Sequence, residues 1–251
     1  LLNSIDALKS ADIAHMLRDL PPSRRAQIAE SMEDHRLAEV LEELPEDDQV
    51  EILSSLDLER AADVLEEMEP DDATDLVSEL DPQLAALLLQ RMEPDDAEDI
   101  RRLLTYEEST AGGMMTTEPV ILSPDATVAD ALALVRSIDL SPAVASQVYV
   151  VRPPVETPTG RYLGAAHFQA MLREPPSTLV SGLVDSELEA IGPLTPLGQV
   201  ARYFATYNLV AVPVVDENDH LLGAVTVDDL LDHMLPEDWR DEDNDEGGRD
   251  A

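Results

Sequence analysis

Apolar and polar positions in the first hundred residues repeat with a period of 24. Within each unit the apolar positions lie three and four residues apart, which is the spacing of one face of an amphipathic helix. Three registers show the repeat: Ala14, Ala38, Ala62 and Ala86; Leu17, Leu41, Leu65 and Leu89; and Leu20, Leu44, Met68 and Met92. The pattern predicts units of two short helices each, repeated four times.

Each unit is interrupted after its third register by proline and polar residues, in the sequences "PPS", "PEDD", "EPDD" and "EPDD". Proline suits the first turn of a helix because no partner is needed for its missing amide hydrogen, and acidic residues there stabilise the helix dipole. One short helical pair cannot bury its apolar face alone. We therefore expect the units to stack into an all-α superhelical solenoid over residues 1–105.

After Pro119 the pattern changes to short β-branched runs that alternate with helix-like segments. It occurs twice, first as "VIL", "TVADALALVRSI", "VYVV" and "YLGAA", then as "PLGQVARYFATY", "LVAVPVV", "LLGAVTV" and "DDLLDHML". Gly164 and Gly223 hold equivalent places. This rhythm predicts strands covered by helices, in two α/β (α+β) units over residues 119–175 and 176–236.

Charge restricts the classes of partner. The chain has 54 acidic and 16 basic side chains and a formal net charge of -38. This charge argues against nucleic acid, whose phosphates would be repelled, and favours cations. Acidity that only keeps the chain soluble is the simpler alternative. Residues 237–251 are expected to form an acidic disordered tail.

Composition also restricts the chemistry and the compartment. Because the chain has no cysteine, disulfides and thiolate zinc sites are excluded and a reducing compartment is favoured. The longest apolar runs, such as "LAALLL", fall far short of the about 20 residues of a membrane helix, so direct membrane insertion is not expected. The start at Leu1 without methionine favours a piece of a longer protein. No phosphate loop or nucleophile elbow is visible, and we do not expect an enzyme.

Two stretches carry a family resemblance. "VAVPVVDENDHLLGAVTVDDLL" resembles the second half of a tandem CBS-domain pair. The solenoid, "YEESTAGGMMT" and the CBS pair, in this order, resemble the cytosolic region of the MgtE family of magnesium transporters and channels. The resemblance implies a cytoplasmic, magnesium-responsive regulatory module in which Mg²⁺ ions bridge the helical and CBS domains. It also implies a homodimer through the CBS domains, with a membrane transporter or another effector protein as client.

The resemblance further implies five metal ligands: Glu39, Asp71 and Asp75 on the helical side, and Asp229 and Asp232 on the CBS side. Asp71 and Asp75, like Asp229 and Asp232, are spaced so that each pair can share one helix face. Mg²⁺ prefers hard oxygen ligands of this kind. A simpler interpretation stays open, in which Asp71 stabilises a helix start and Glu39 is a solvated charge.

At three positions the chain departs from the family pattern. Pro196, Gly198 and Asn208 stand where relatives carry acidic residues. Fewer or weaker metal sites are therefore expected.

An alternative function is an adenosine-nucleotide-sensing CBS adaptor that regulates a partner protein. By the resemblance, Thr226 would lie near the phosphates and Asp229 would bind the ribose hydroxyls. His167, Gln169 and Ala170 stand in the corresponding region of the first unit, so its pocket is expected to be disabled. In the competing interpretation, Thr226 caps a helix and Asp229 is an acidic residue in the first turn of that helix.

The segment between the two halves, residues 106–118, is predicted to be a hinge or linker. Gly112 and Gly113 would let the chain turn sharply there. Met114 and Met115 are apolar enough to hold the segment against the CBS core.

Overall fold

In the computed structural model the chain divides into two units after Leu104, and the second unit comprises Thr105–Leu235. The structure describes residues 8–136, 140–185 and 187–236. The acidic tail predicted over residues 237–251 lies outside the described residues. Across the described residues, no helix combines the length and the apolarity needed to cross a membrane.

The described part of the first unit consists of short helices whose starts reproduce the sequence period. They are α1 (Ser10–Arg18), α2 (Pro22–Ala29), α3 (Asp34–Glu42), α4 (Glu46–Ser55), α5 (Leu58–Glu66), α6 (Pro70–Glu79), α7 (Pro82–Arg91) and α8 (Pro94–Leu103). Helices two apart in sequence pack on each other, so that α1, α3, α5 and α7 form one stack and α2, α4, α6 and α8 form another. This is the predicted helical repeat.

The repeat registers form the core of this unit. Ala38 and Leu41 are fully buried on α3, and Ala62 and Leu65 are at most 2% exposed on α5. Ala86, in the same register on α7, is exposed. A terminal repeat has no following unit to cover its face, so the last helix of a stack departs from the pattern.

Carboxylates also connect the repeats. Glu42 Oε1 accepts the backbone N–H of Glu69 at 2.9 Å, and Glu66 Oε1 accepts that of Glu93 at 2.5 Å. Glu69 and Glu93 are the N-cap residues of α6 and α8, where backbone amides have no partner within the helix. Burial raises the pKa of both Glu42 and Glu66, against the lowering effect of these hydrogen bonds. Each carboxylate thus caps a helix of the next repeat.

We expect Glu42→Ala to lower the free energy of unfolding by about 1–2 kcal/mol, because a helix-start amide loses its acceptor. Glu42→Gln keeps an oxygen acceptor without the buried charge and should cost less. Urea titrations followed by circular dichroism measure both. The exposed residue Glu98 on α8 provides the control, and an equal loss in Glu98→Ala would refute the capping role.

The second unit contains two α/β repeats. The first consists of β1 (Ile121–Leu122), α9 (Val128–Leu134), β2 (Gln147–Val151), β3 (Tyr162–His167) and α10 (Phe168–Met171). The second consists of α11 (Leu197–Tyr207), β4 (Ala211–Val215), β5 (Leu221–Thr226) and α12 (Val227–Asp232). Short 3-10 segments lie at Val144–Ser146 and Val180–Gly182. These elements match the predicted rhythm of strands and helices.

The strand register shows that the two repeats are equivalent. β1 is parallel to β2, β2 is antiparallel to β3, and β4 is antiparallel to β5. Val150 pairs with Gly164 and Val214 pairs with Gly223, and in both hairpins the register shifts at the next residue. His167 and Thr226 consequently hold the same position, at the end of the second hairpin strand.

Residues 106–118, expected to form a linker, are part of the second unit. The amide of Ala111 donates to Thr195 O and that of Gly112 to Pro193 O, both at 2.8 Å. Thr116 and Ala224 exchange backbone hydrogen bonds of 2.9 and 3.0 Å. Met114 and Met115 are fully buried, as the expected seat on the core requires.

The two glycines of this segment serve close packing. Gly164 is the one described glycine with a positive φ, so the sharp turn expected at Gly112 and Gly113 does not require left-handed backbone. A Cβ at Gly112 would lie 2.6 Å from Tyr106 Cγ, and one at Gly113 would lie 2.5 Å from Glu107 O. The reason for glycine here is lack of space, and the hinge role stays a prediction.

Gly113→Ala should destabilise the second unit by about 1–3 kcal/mol, because the added methyl group overlaps backbone atoms. Gly198→Ala is the matched control, since a Cβ added there on α11 would meet nothing within 4 Å, and it should be neutral or slightly stabilising. Thermal unfolding of the two variants tests this. Equal melting temperatures would contradict the packing argument.

Candidate functional site

An acidic cluster lies at the start of α12, directly after β5. Thr226, which is 1% exposed, is the N-cap residue, and its side chain accepts the amide of Asp229. Asp229 in turn accepts the amide of Thr226 at 3.3 Å, which completes a capping box. This is the capping role that the sequence left open for Thr226. Asp228 and Asp232 lie on the same helix.

One hydroxyl hydrogen serves two carboxylates in this cluster. Thr226 Oγ1 lies 2.5 Å from Asp228 Oδ1 and 2.5 Å from Asp229 Oδ2. A threonine hydroxyl has one hydrogen to donate, so the second contact brings two oxygens together unless a proton or another cation compensates. Burial raises the pKa of Asp229 to about 6, and the charges of Asp228 and Asp232 add to this against the Thr226 hydrogen bonds.

The capping box of α9 is a reference for this effect. There, Thr127 caps the helix and Asp130 accepts its hydroxyl at 2.7 Å and its amide at 2.8 Å. These hydrogen bonds lower the pKa of Asp130 below its ordinary value. The same local geometry therefore accompanies a lowered pKa at Asp130 and a raised pKa at Asp229, because Asp229 is more deeply buried and has two acidic neighbours.

The predicted ligands of the first unit lie on two helices. Asp71 is 5% exposed in the first turn of α6, and Asp75 is half-buried one turn later. Glu39 lies on α3, where it accepts hydrogen bonds from Ser10 Oγ at 2.9 Å and from Arg36.

Glu39 is already neutralised by the protein. Burial by itself raises its pKa, but the hydrogen bonds from Arg36 and Ser10 outweigh burial and lower it. His35 Nε2 also lies 3.4 Å from Glu39 Oε1. Glu39 therefore already has hydrogen-bonding partners within the first unit.

Within the part of the chain that the structure describes, no group of three or more acidic or histidine side chains converges as a metal centre. The structure thus brings Asp229 and Asp232 together on α12, and Asp71 and Asp75 together on α6. Among these residues it assembles no complete coordination shell inside either unit. Mg²⁺ commonly binds through one or two carboxylates and keeps its remaining waters, so such pairs suffice as partial ligand sets.

A cavity of about 740 Å³ lies elsewhere in the second unit. It is bordered by His167 and Gln169 of the first α/β repeat and by Tyr203 and Tyr207 of α11. The sequence suggested instead that a nucleotide pocket survives at Thr226 and Asp229, and neither residue borders this cavity. The nucleotide roles of those two residues stay a prediction.

Sequence reasoning missed several residues of these sites. Asp228 was not singled out, although it stands between Thr226 and Asp229. The aromatic pair Tyr203 and Tyr207 was predicted only as part of a helix, although its spacing of four residues places both rings on one face. Glu42 and Glu66 could have been found from their common register in the repeat.

Family comparisons agree with the two units. Residues 8–109 match the MgtE intracellular N domain, and residues 111–173 and 180–236 match the CBS domain. The magnesium transporter MgtE of Thermus thermophilus is 33% identical over 138 residues, 55% of this chain and 30% of that protein. MgtE of Enterococcus faecalis is 32% identical over 134 residues, 53% of this chain and 28% of that protein. The aligned region therefore spans less than a third of these relatives.

Two solved structures share the fold over nearly the whole chain. The soluble part of a magnesium transporter superposes with a TM-score of 0.82 at 29% identity, covering 91% of this chain and 88% of that one. The cytosolic domain of the Mg²⁺ channel MgtE in complex with ATP gives 0.81 at 29% identity, covering 92% of each. These likenesses confirm the predicted fold class.

A carboxyl titration tests the account of the acidic cluster. In ¹³C NMR without divalent cations, Asp229 should titrate near pH 6, and Asp130 should titrate below the ordinary aspartate range. Because its pKa is raised, Asp229 binds its proton more tightly in the folded state than in the unfolded state. The protonated side chain therefore stabilises the fold below the ordinary aspartate pKa, and this stabilisation is lost as pH rises towards 6. Matching midpoints for the two residues would contradict the burial and charge argument.

Proposed function

We propose that this chain, which joins an MgtE intracellular N domain to a CBS pair as the cytosolic part of MgtE magnesium transporters does, is a magnesium-responsive regulatory module. In this proposal Mg²⁺ ions bridge carboxylates of the helical domain and carboxylates of the CBS domains. The two matched families are a transporter's intracellular domain and a CBS domain, and neither is a catalytic family.

Electrostatics supplies the mechanism. Two carboxylates 4 Å apart repel each other by about 1 kcal/mol in water and by several times more near protein. In this proposal the two acidic faces are Asp71 and Asp75 on α6, and Asp229 and Asp232 on α12. Without a cation they would favour separated domains, and bound Mg²⁺ would favour closed ones. An ion with different affinities for the two arrangements shifts their populations by that difference.

The shared hydroxyl of Thr226 is the observation that supports this proposal most directly. Its Oγ1 lies 2.5 Å from a carboxylate oxygen of Asp228 and 2.5 Å from one of Asp229, yet the hydroxyl can donate to one of them at a time. A divalent cation would replace the missing positive charge. The capping box at Asp130 has no such deficit, because Thr127 bonds a single carboxylate there.

We expect fewer metal sites, or sites of lower affinity, than in relatives with more acidic residues. Pro196, Gly198 and Asn208 have no carboxylate, and the hydrogen bonds of Glu39 to Arg36 and Ser10 reduce its gain from a metal. We therefore place the principal ligands at Asp71, Asp75, Asp229 and Asp232.

Calorimetry and small-angle scattering test the proposal together. Millimolar Mg²⁺ should produce binding heat and a smaller radius of gyration in the wild-type chain. The double variant Asp229→Asn/Asp232→Asn should lose at least tenfold in affinity, whereas Asp130→Asn should bind as wild type does. An unchanged radius with no binding heat would rule the proposal out, and a loss in Asp130→Asn equal to that of the double variant would place the ions elsewhere.

The client of such a module would be a membrane pore. The curated relatives are magnesium transporters, and this chain matches under a third of each. We propose that the domain closure described above is transmitted to a pore of that kind, and that the CBS domains form the homodimer expected from the resemblance. Light scattering of the purified chain distinguishes a dimer from a monomer.

A second candidate function is adenosine-nucleotide sensing. It is supported by the cavity in the second unit and by the ATP complex of the similar Mg²⁺ channel domain. At Thr226 and Asp229 the support is weaker, since both side chains already bond to each other within the capping box.

A further inference from the structure

Two half-buried glutamates connect neighbouring repeats of the first unit in the same way. Glu42 Oε1 accepts the backbone N–H of Glu69 at 2.9 Å, and Glu66, which stands 24 residues later, accepts that of Glu93. Glu69 and Glu93 are the N-cap residues of α6 and α8, and neither caps its helix with its own side chain. An earlier helix therefore supplies the acceptor at the start of α6 and at the start of α8.

Among α4, α6 and α8, the acceptor is present where an N-cap amide needs one. The N-cap residue of α4 is Pro45, which has no amide hydrogen to donate. The residue that stands 24 positions before Glu42 is Arg18, whose side chain cannot accept a hydrogen bond. The carboxylate and the amide hydrogen are thus either both present or both missing, which indicates that capping is the reason for glutamate at residues 42 and 66.

The two capped helices differ in what they carry. α6 carries Asp71 in its first turn and Asp75 one turn later, and Asp71 is 5% exposed. The equivalent residues of α8 are Asp95 and Asp99, which are not among the predicted metal ligands, and Asp95 is exposed. Because Asp71 is buried and follows Glu69 by two residues, the position of its carboxylate depends on the backbone at Glu69.

Glu42 also joins the helices of the first unit that carry predicted ligands. It lies on α3, three residues after Glu39, and its hydrogen bond reaches the first residue before the α6 helix. Metal ligands are oriented by hydrogen bonds from residues that do not touch the metal, and removing such bonds weakens metal binding by roughly 10–100-fold.

We propose that Glu42 is a positioning residue for magnesium: its hydrogen bond to the Glu69 amide holds Asp71 and Asp75 in the arrangement that binds the ion. Glu42 acts through the backbone of α6 and does not contact the metal. Glu66 makes the same bond to α8 and has no such effect, because α8 carries none of the principal ligands. This inference rests on the proposed function and assigns a role in it to a residue that is not a ligand.

Calorimetric Mg²⁺ titrations of the full chain compare three variants with the wild type. Glu42→Ala removes the acceptor and should weaken Mg²⁺ binding at least fivefold. Glu66→Ala removes the equivalent acceptor and should lower the melting temperature by a similar amount, yet bind Mg²⁺ within twofold of the wild type. Glu42→Gln keeps an oxygen acceptor without the charge and should also bind within twofold of the wild type. Melting curves confirm that each variant is folded at the titration temperature.

The possible results separate this inference from the proposed function. If the wild type binds Mg²⁺ and Glu42→Ala binds equally well, or loses no more affinity than Glu66→Ala, the positioning role is wrong. It is also wrong if Glu42→Gln loses as much affinity as Glu42→Ala, because the charge of Glu42 and not its hydrogen bond then matters. A wild-type chain that binds no Mg²⁺ would overturn the proposed function, and this inference with it.

Discussion

Repulsion between carboxylates is the physical constraint on which the proposed function of this protein depends. The chain carries 54 acidic and 16 basic residues, and the few arginines that stabilise acids are committed locally. Arg25 pairs with Asp48, and Arg36 bonds to Glu39. At the start of α12, burial and acidic neighbours instead raise the pKa of Asp229 to about 6. Folding thus gathers carboxylates at the start of α12, which is where we propose that Mg²⁺ binds.

The helical repeat was predictable because its period is fixed by packing. Alanine and leucine registers such as Ala38 and Leu41 are buried between equivalent helices, so the sequence must repeat wherever the fold does. The predicted strands and the equivalence of Gly164 and Gly223 follow similarly from hairpin register. Composition leaves the role of the glycines in residues 106–118 open, because glycine indicates either conformational freedom or lack of space. The tertiary contacts show the lack of space at Gly113.

The candidate sites were less predictable for a comparable reason. Spacing places Asp229 and Asp232 on one helix. The sequence cannot tell, however, that the Thr226 hydroxyl lies against two carboxylates while the hydroxyl of Thr127, the cap of α9, bonds to one. The cavity depends on residues far apart in the chain, such as His167 and Tyr207. The residues that line it are determined by which side chains the fold brings together. Comparing the motifs of the two repeats points to Thr226 instead.

The central proposal is that Mg²⁺ binds the acidic cluster of α12, where Asp229 has a pKa of about 6 and is still partly protonated at that pH. Metal binding to a group that is partly protonated releases that proton. Calorimetry of Mg²⁺ binding at pH 6 in buffers of different ionisation enthalpy measures the release directly. The account predicts that the binding heat varies with the buffer at pH 6, corresponding to a proton released from Asp229, and becomes independent of the buffer at pH 8. Heats that are independent of the buffer at both pH values would contradict it.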